Sequence, residues 1–168
     1  PTVLAQAAAG GGEVRAERGH ALKHYALDAA RTQRLNEFAR QQKVTANTLV
    51  QAVWLLLLQR YTGSACVAFG TTVAGRPAEL VGIEQQVGLF INTLPVIAGS
   101  RPDQSVAAWL AAVQAQNLSL REFEHTPLAN IQRWAGQGGE SLFDTLLVFE
   151  NFPISEALQH GTAQGVVF

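Results

Sequence analysis

Three apolar, β-leaning runs separated by stretches of helical period most constrain how this chain can fold. They are ACVAFGTTVAG (65–75), VGLFINTLPVIA (87–98) and SLFDTLLVFENFP (141–153). Apolarity this continuous is the pattern of strands covered on both faces, not of strands with one face in water. Covering both faces takes helices, and the segments between the runs supply them. The expected class is therefore α/β, with a central, mixed sheet flanked by helices. Pro95 sits inside the second run, where its missing N–H would break a ladder, so that strand is expected to bulge, to end there or to run on an edge.

The helical segments can be placed by spacing and caps. AARTQRLNEFARQQ (29–42) sets Leu35, Phe38 and Ala39 at helical spacing and predicts an amphipathic helix ending near Lys43. Thr45 is the expected N-cap of ANTLVQAVWLLLLQRY (46–61), with Gly63 ending the helix. Its apolar residues run nearly all round, the mark of a buried helix. SVAAWLAAVQAQNLSLREF (105–123) places Val106, Trp109, Leu110 and Val113 on one face. TPLANIQRW (126–134) has the form of a short helix with Thr126 as N-cap and Pro127 in its first position.

HALKHYALD (20–28) alternates well enough to predict a further strand. RPAELVGIEQQ (76–86) reads as a loop with a short helical turn, and GQGG (136–139) as a loop. The organisation expected is a lead-in over 1–19, with a Gly-rich stretch at 7–12, then one folded unit over 20–158 and a tail over 159–168. With Pro1 in front and GVVF at the end, the chain has the look of a piece cut from something longer.

Composition removes several function classes. Of the 168 residues, 48% are apolar and 15% charged, which favours a folded domain over disorder. Lys plus Arg number 12 against 13 acidic residues, so no basic excess exists to neutralise nucleic-acid phosphates. The greasiest stretch, LVQAVWLLLL (49–58), is interrupted by Gln51 and falls short of the roughly 20 residues a membrane span needs. The amino terminus lacks the basic-then-apolar order of a signal peptide, and the expected location is cytoplasmic. One cysteine, Cys66, rules out an internal disulfide, and its place in an apolar run predicts a buried, inert thiol.

Catalytic and metal signatures are equally sparse. His20 and His24, four residues apart in a predicted strand, would lie roughly 13 Å from each other, too far to share a metal ion. The glycines at 10–12 lack the Gly-Lys-Ser/Thr of a phosphate loop, and GQGG follows a helix where a dinucleotide fingerprint follows a strand. No Gly-x-Ser-x-Gly elbow occurs. Glu122 and Glu124 beside His125 are explained by a charged helix end. No catalytic residue and no metal site is expected from spacing alone.

Three polar features remain. Asn92 and Thr93 interrupt the second apolar run, and a buried amide is costly unless hydrogen-bonded. AGRP (74–77) puts Arg76 directly after a strand, where α/β folds tend to display functional side chains. FENFP (149–153) does the same for Glu150 and Asn151. For the last two, an ordinary solvated turn explains the residues as well as a site does.

These stretches, in order, resemble the condensation domains of nonribosomal peptide synthetases. TTVAGRPAELVGIEQQVGLFINTLPV (71–96), HTPLANIQRW (125–134) and LFDTLLVFENFP (142–153) carry the resemblance, with VGLFINT the most specific part. Residues 27–63 resemble the segment that precedes them in that family. The resemblance implies a pair of α/β lobes, each similar to chloramphenicol acetyltransferase. It implies peptide-bond formation between an acyl or peptidyl thioester and an aminoacyl thioester, both delivered on phosphopantetheine arms of carrier proteins through a tunnel between the lobes.

The family's His-His-x-x-x-Asp-Gly motif belongs to the amino-terminal lobe, and no His-His pair occurs in these 168 residues. The chain thus resembles the carboxy-terminal lobe alone and is expected to be inactive by itself. No cofactor is expected to bind it directly. Its partners would be the amino-terminal lobe, the upstream and downstream carrier proteins and, in the parent chain, an adenylation domain.

By this resemblance Asn92 lies near the catalytic centre, suited to hold a thioester carbonyl or a pantetheine amide, or else it is a structural amide satisfied by backbone. Arg76, Thr93 and Gly88 would join it in the tunnel wall. Gly75, Pro77 and Glu79 would belong to a loop, ending near Gln86, that crosses to the other lobe. Two alternatives stay open: a lobe of an epimerisation or heterocyclisation domain, or a non-catalytic docking module for carrier proteins. A lone lobe is also expected to self-associate, or to gain stability from its partner.

Overall fold

The computed structural model describes residues 2, 4, 21–74 and 82–150. Its centre is a three-stranded mixed sheet in the order β2-β1-β3. β1 (Val67–Val73) pairs antiparallel with β2 (Asn92–Ala98) and parallel with β3 (Leu146–Leu147). Pro95 lies opposite Gly70, whose N–H donates across the other side of β1 to the Thr145 carbonyl at 2.9 Å. The Pro95 nitrogen therefore faces away from β1, on the outer edge of β2, where its missing N–H costs nothing. Of the three outcomes expected for this proline, the edge position is the one adopted, and the register runs unbroken from Val67↔Ala98 to Val73↔Asn92.

β1 is covered on both faces. Val67 and Phe69 point into a cluster with Leu55, Leu58, Leu110 and Val113, while Ala68 packs on the other side with Leu142 and Phe143. The first cluster is built by α2 (Ala46–Thr62) and α3 (Val106–Leu120), the second by α4 (Leu128–Trp134) through Leu128 and Ile131. Gly70 is required here because a Cβ would overlap the Phe143 ring and Leu146.

α1 (Ala29–Gln41) starts on Asp28, whose carboxylate accepts the Arg31 N–H at 2.7 Å. It stops on a Schellman motif: the Val44 N–H reaches the Ala39 carbonyl and the Lys43 N–H that of Arg40. Lys43 takes the left-handed conformation there, with φ 55°, a position that glycine normally fills. α2 has the expected caps, Thr45 accepting the Thr48 N–H and Gly63 closing the helix at φ 67°.

Several expectations are corrected by what surrounds each segment. α2 is not buried all round: Ala52, Leu55 and Leu58 face the core, whereas Val50, Val53, Leu56 and Leu57 are exposed. The sheet and α3 lie on one side of this helix, and no described layer covers the other. On α1, Ala39 is buried but Phe38 is exposed, and on α3 Val106, in the first turn, is exposed while Trp109, Leu110 and Val113 are buried.

The second strand begins only at Asn92, because its partner β1 ends at Val73; Val87, Leu89 and Ile91 lie outside the ladder and are exposed. The third run contracts to Leu146–Leu147, with a single bridge Thr2↔Phe143 ahead of it. Its earlier backbone groups are satisfied elsewhere, the Leu142 carbonyl by the Thr2 N–H and the Phe143 carbonyl by the Ser141 hydroxyl. Residues 21–28 form no strand and are exposed, since no described strand offers them a ladder. The cap of α4 is Pro127, whose carbonyl accepts from Asn130 and Ile131, one residue later than Thr126. Cys66 is exposed, in the bend that precedes β1, and not buried.

Candidate functional site

Asn92 opens β2, and strand alternation puts its side chain on the same sheet face as Leu94 and Val96, the face that α2 and α3 cover. α3 runs on into a 3-10 turn, Arg121–Phe123, which brings Glu124 and Thr126 back beside the start of β2. The Asn92 Nδ2 group donates to the Glu124 carbonyl at 2.9 Å and to the Thr126 carbonyl at 2.8 Å. Both partners can only accept, so the amide is held one way round. Its two N–H groups are committed, and the oxygen Oδ1 is what remains to meet a ligand. A free thioester carbonyl has no donor left to take from Asn92 in this arrangement; an N–H group has an acceptor.

The amide lies in the wall of a cleft of about 310 Å³, with Leu89, Ile91, Glu124 and His125 among its neighbours. Of the anticipated site residues that are described, Asn92 alone is found in this wall. Thr93 points to the opposite sheet face, opposite Thr72, and Gly88 stands outside the cleft against the Phe90 ring. Arg76, Gly75, Pro77, Glu79 and Asn151 lie outside the described residues, as do His20 and His160. Glu150 and His24 are described and exposed. Among the described residues no group of three His, Cys, Asp or Glu side chains is placed to hold a metal ion, and no helix is long and apolar enough to cross a membrane.

A second, polar pocket of about 210 Å³ lies on the same sheet face, between the amino end of α2, the carboxyl end of α3 and the end of β1. Gln51 lines it and is only 2% exposed. Its Nε2 donates to Asn47 Oδ1 at 3.2 Å and Thr71 Oγ1 at 3.3 Å, but its Oε1 has no partner among the described residues. A buried acceptor left unmatched costs roughly 1–3 kcal/mol. Close by, Gln114 Oε1 accepts from the Thr45 N–H and the Thr48 hydroxyl, tying α3 to the start of α2.

Glu124 lines both the pocket and the Asn92 cleft. Sequence pattern did not single out this pocket: Gln51 registers there only as a break in an apolar stretch. The available signal was the coincidence of Gln51 on a helix face with Thr71 in a strand, which only the packing of α2 on β1 brings together.

Comparison with known proteins gives the arrangement its kin. The condensation-domain family model matches residues 15–166. A linear gramicidin synthase of Brevibacillus parabrevis is 43% identical over 160 residues, 95% of this chain, and the chain spans 2% of that relative's length. Among solved structures, a four-domain nonribosomal peptide synthetase bound to AMP and glycine superposes with a TM-score of 0.71 over 80% of this chain and 10% of its own, at 16% identity. The first condensation domain of the calcium-dependent antibiotic synthetase, in complex with a substrate analogue, gives 0.62 over 73% of this chain and 28% of its own, at 24% identity. At such identities these structures speak for the fold, which is the chloramphenicol acetyltransferase-like α/β arrangement with a mixed sheet flanked by helices. The chain belongs to the condensation-domain family of nonribosomal peptide synthetases.

Proposed function

We propose that this chain is the carboxy-terminal lobe of a condensation domain, which in the complete enzyme joins an acyl or peptidyl thioester to the amine of an aminoacyl thioester. Both substrates arrive on the phosphopantetheine arms of carrier proteins, in a cytoplasmic assembly that also contains adenylation domains. The lobe supplies part of the tunnel wall and lacks the His-His-x-x-x-Asp-Gly motif, so it does not catalyse by itself. A general base or positioning group must stand within hydrogen-bond reach of the attacking amine, and that group belongs to the other lobe.

The observation that carries the reading is the Asn92 carboxamide, pinned by two backbone carbonyls beside a cleft with only Oδ1 left over. Fixed in this way, Oδ1 accepts from an N–H of the substrate, either the attacking amine or a pantetheine amide. It orients that group without any rearrangement on binding. The exposed run of Val87, Leu89 and Ile91, directly before Asn92, is the kind of apolar surface a missing lobe would cover. Arg76 and the loop carrying Gly75, Pro77 and Glu79 remain assigned to the tunnel wall and the crossing between lobes.

The test is kinetic. In the complete domain, Asn92→Ala lowers kcat/KM for amide formation by about 10- to 100-fold, the worth of one hydrogen bond to a polar or charged donor. Unchanged kinetics in a folded Asn92→Ala domain would show that the amide serves the fold alone.

A further inference from the structure

We propose that the polar pocket between α2, α3 and β1 is a side-chain subsite, receiving a hydrogen-bond-donating group on the side chain of the aminoacyl thioester whose amine is acylated. The proposal rests on the condensation reading above and adds to it a preference among acceptor substrates.

Four observations converge on it. The core-facing side of α2 is apolar at Ala52, Leu55 and Leu58 but polar at Thr48 and Gln51, so the polar half is confined to the pocket. Gln51 is held by Asn47 and Thr71 through Nε2, which leaves Oε1, buried and without a partner among the described residues, for whatever fills the pocket. An acceptor of this kind selects a donor.

The volume, about 210 Å³, exceeds the roughly 30 Å³ share of a single water and suits a short side chain. Lastly, the pocket adjoins the Asn92 cleft. Glu124 lines both, and Thr71 is the next residue on the same strand face from Val73, the partner of Asn92. A substrate with its amine at Asn92 can therefore send a short side chain toward Gln51. Arg121 and Glu124 both line the pocket, so their charges oppose each other and selection falls to hydrogen bonding.

The experiment uses the complete condensation domain, a loaded donor carrier, and two acceptors of nearly the same shape, the asparaginyl and leucyl thioesters of N-acetylcysteamine, in competition. The domain should favour the asparaginyl acceptor by about tenfold, the worth of a hydrogen bond to an otherwise unmatched group. Gln51→Leu should erase that preference by slowing the asparaginyl reaction while leaving the leucyl one within about twofold. Gln51→Glu, which keeps an acceptor oxygen in place, should retain it. Gln51→Met, similar in length and unbranched, replaces Gln51→Leu should the latter not fold.

A preference that survives loss of the amide, or an equal fall for both acceptors, would overturn the subsite. So would equal use of both acceptors by the unaltered domain, with the condensation reading left standing. Amide formation from neither acceptor would overturn that reading, and the subsite with it.

Discussion

Val73 and Asn92 form the last rung of the β1–β2 ladder, and beyond it residues 87–91 lie outside any strand among the described residues. At that point the Asn92 side chain takes over, tying β2 to the Glu124 and Thr126 carbonyls. Asn92→Ala removes both bonds and is expected to lower stability by about 1–3 kcal/mol. Asn92→Asp should cost more, because it sets carboxylate oxygens against two carbonyls. Urea denaturation of the three proteins checks the order, and an aspartate variant as stable as the original would contradict it.

Gly70 is where the sheet admits Phe143 and Leu146. Gly70→Ala is expected to destabilise by about 1–3 kcal/mol through overpacking. For a chain of this length that corresponds to a fall in Tm of roughly 2–4 °C per kcal/mol. A melting curve unchanged by the substitution would show that the Phe143 ring can move aside freely.

Lys43 occupies the left-handed site of the α1 Schellman motif. A Cβ there is disfavoured by about 1 kcal/mol, so Lys43→Gly should raise stability by a few tenths up to about 1 kcal/mol. A clear loss of stability would mean that the lysine side chain makes up for its backbone strain.

The two sides of α2 should behave differently. Leu55→Ala, in the core, is expected to cost about 2–5 kcal/mol. Val53, 50% exposed, should tolerate Ala within about 0.5 kcal/mol. The uncovered apolar residues instead predict that the isolated chain self-associates or gains stability when the amino-terminal lobe is added, and that Leu89→Ser weakens either effect without moving Tm. Light scattering and a melting curve with and without that lobe provide the check. A monodisperse monomer whose Tm ignores the lobe contradicts the expectation.

How much of this was legible in the sequence depends on the range of the forces involved. Local rules placed the helices well: Thr45 as a cap, Gly63 as a stop, and the buried stripe of Trp109, Leu110 and Val113 all follow from neighbours a turn away. Strand extent was less legible, because it depends on a partner. Residues 21–28 alternate without pairing among the described residues, and Val87, Leu89 and Ile91 are apolar without being covered.

The candidate site divides along the same line. Asn92 stands out as an amide in an apolar run. Its acceptors, the carbonyls of Glu124 and Thr126, carry no sequence signal, because any residue offers a carbonyl. Gln51 and Thr71, 20 positions apart, meet only through the packing of α2 on β1.

On the proposed function, the chain holds substrates for chemistry whose reacting group lies in another lobe. The most direct test of that reading is aminoacyl transfer between two loaded carrier proteins, assayed with this chain alone and with the His-His-bearing lobe restored. The chain alone should yield no amide product, and the reunited domain should yield it, more slowly when Asn92 is replaced by alanine. Amide formation by the chain alone would contradict the account.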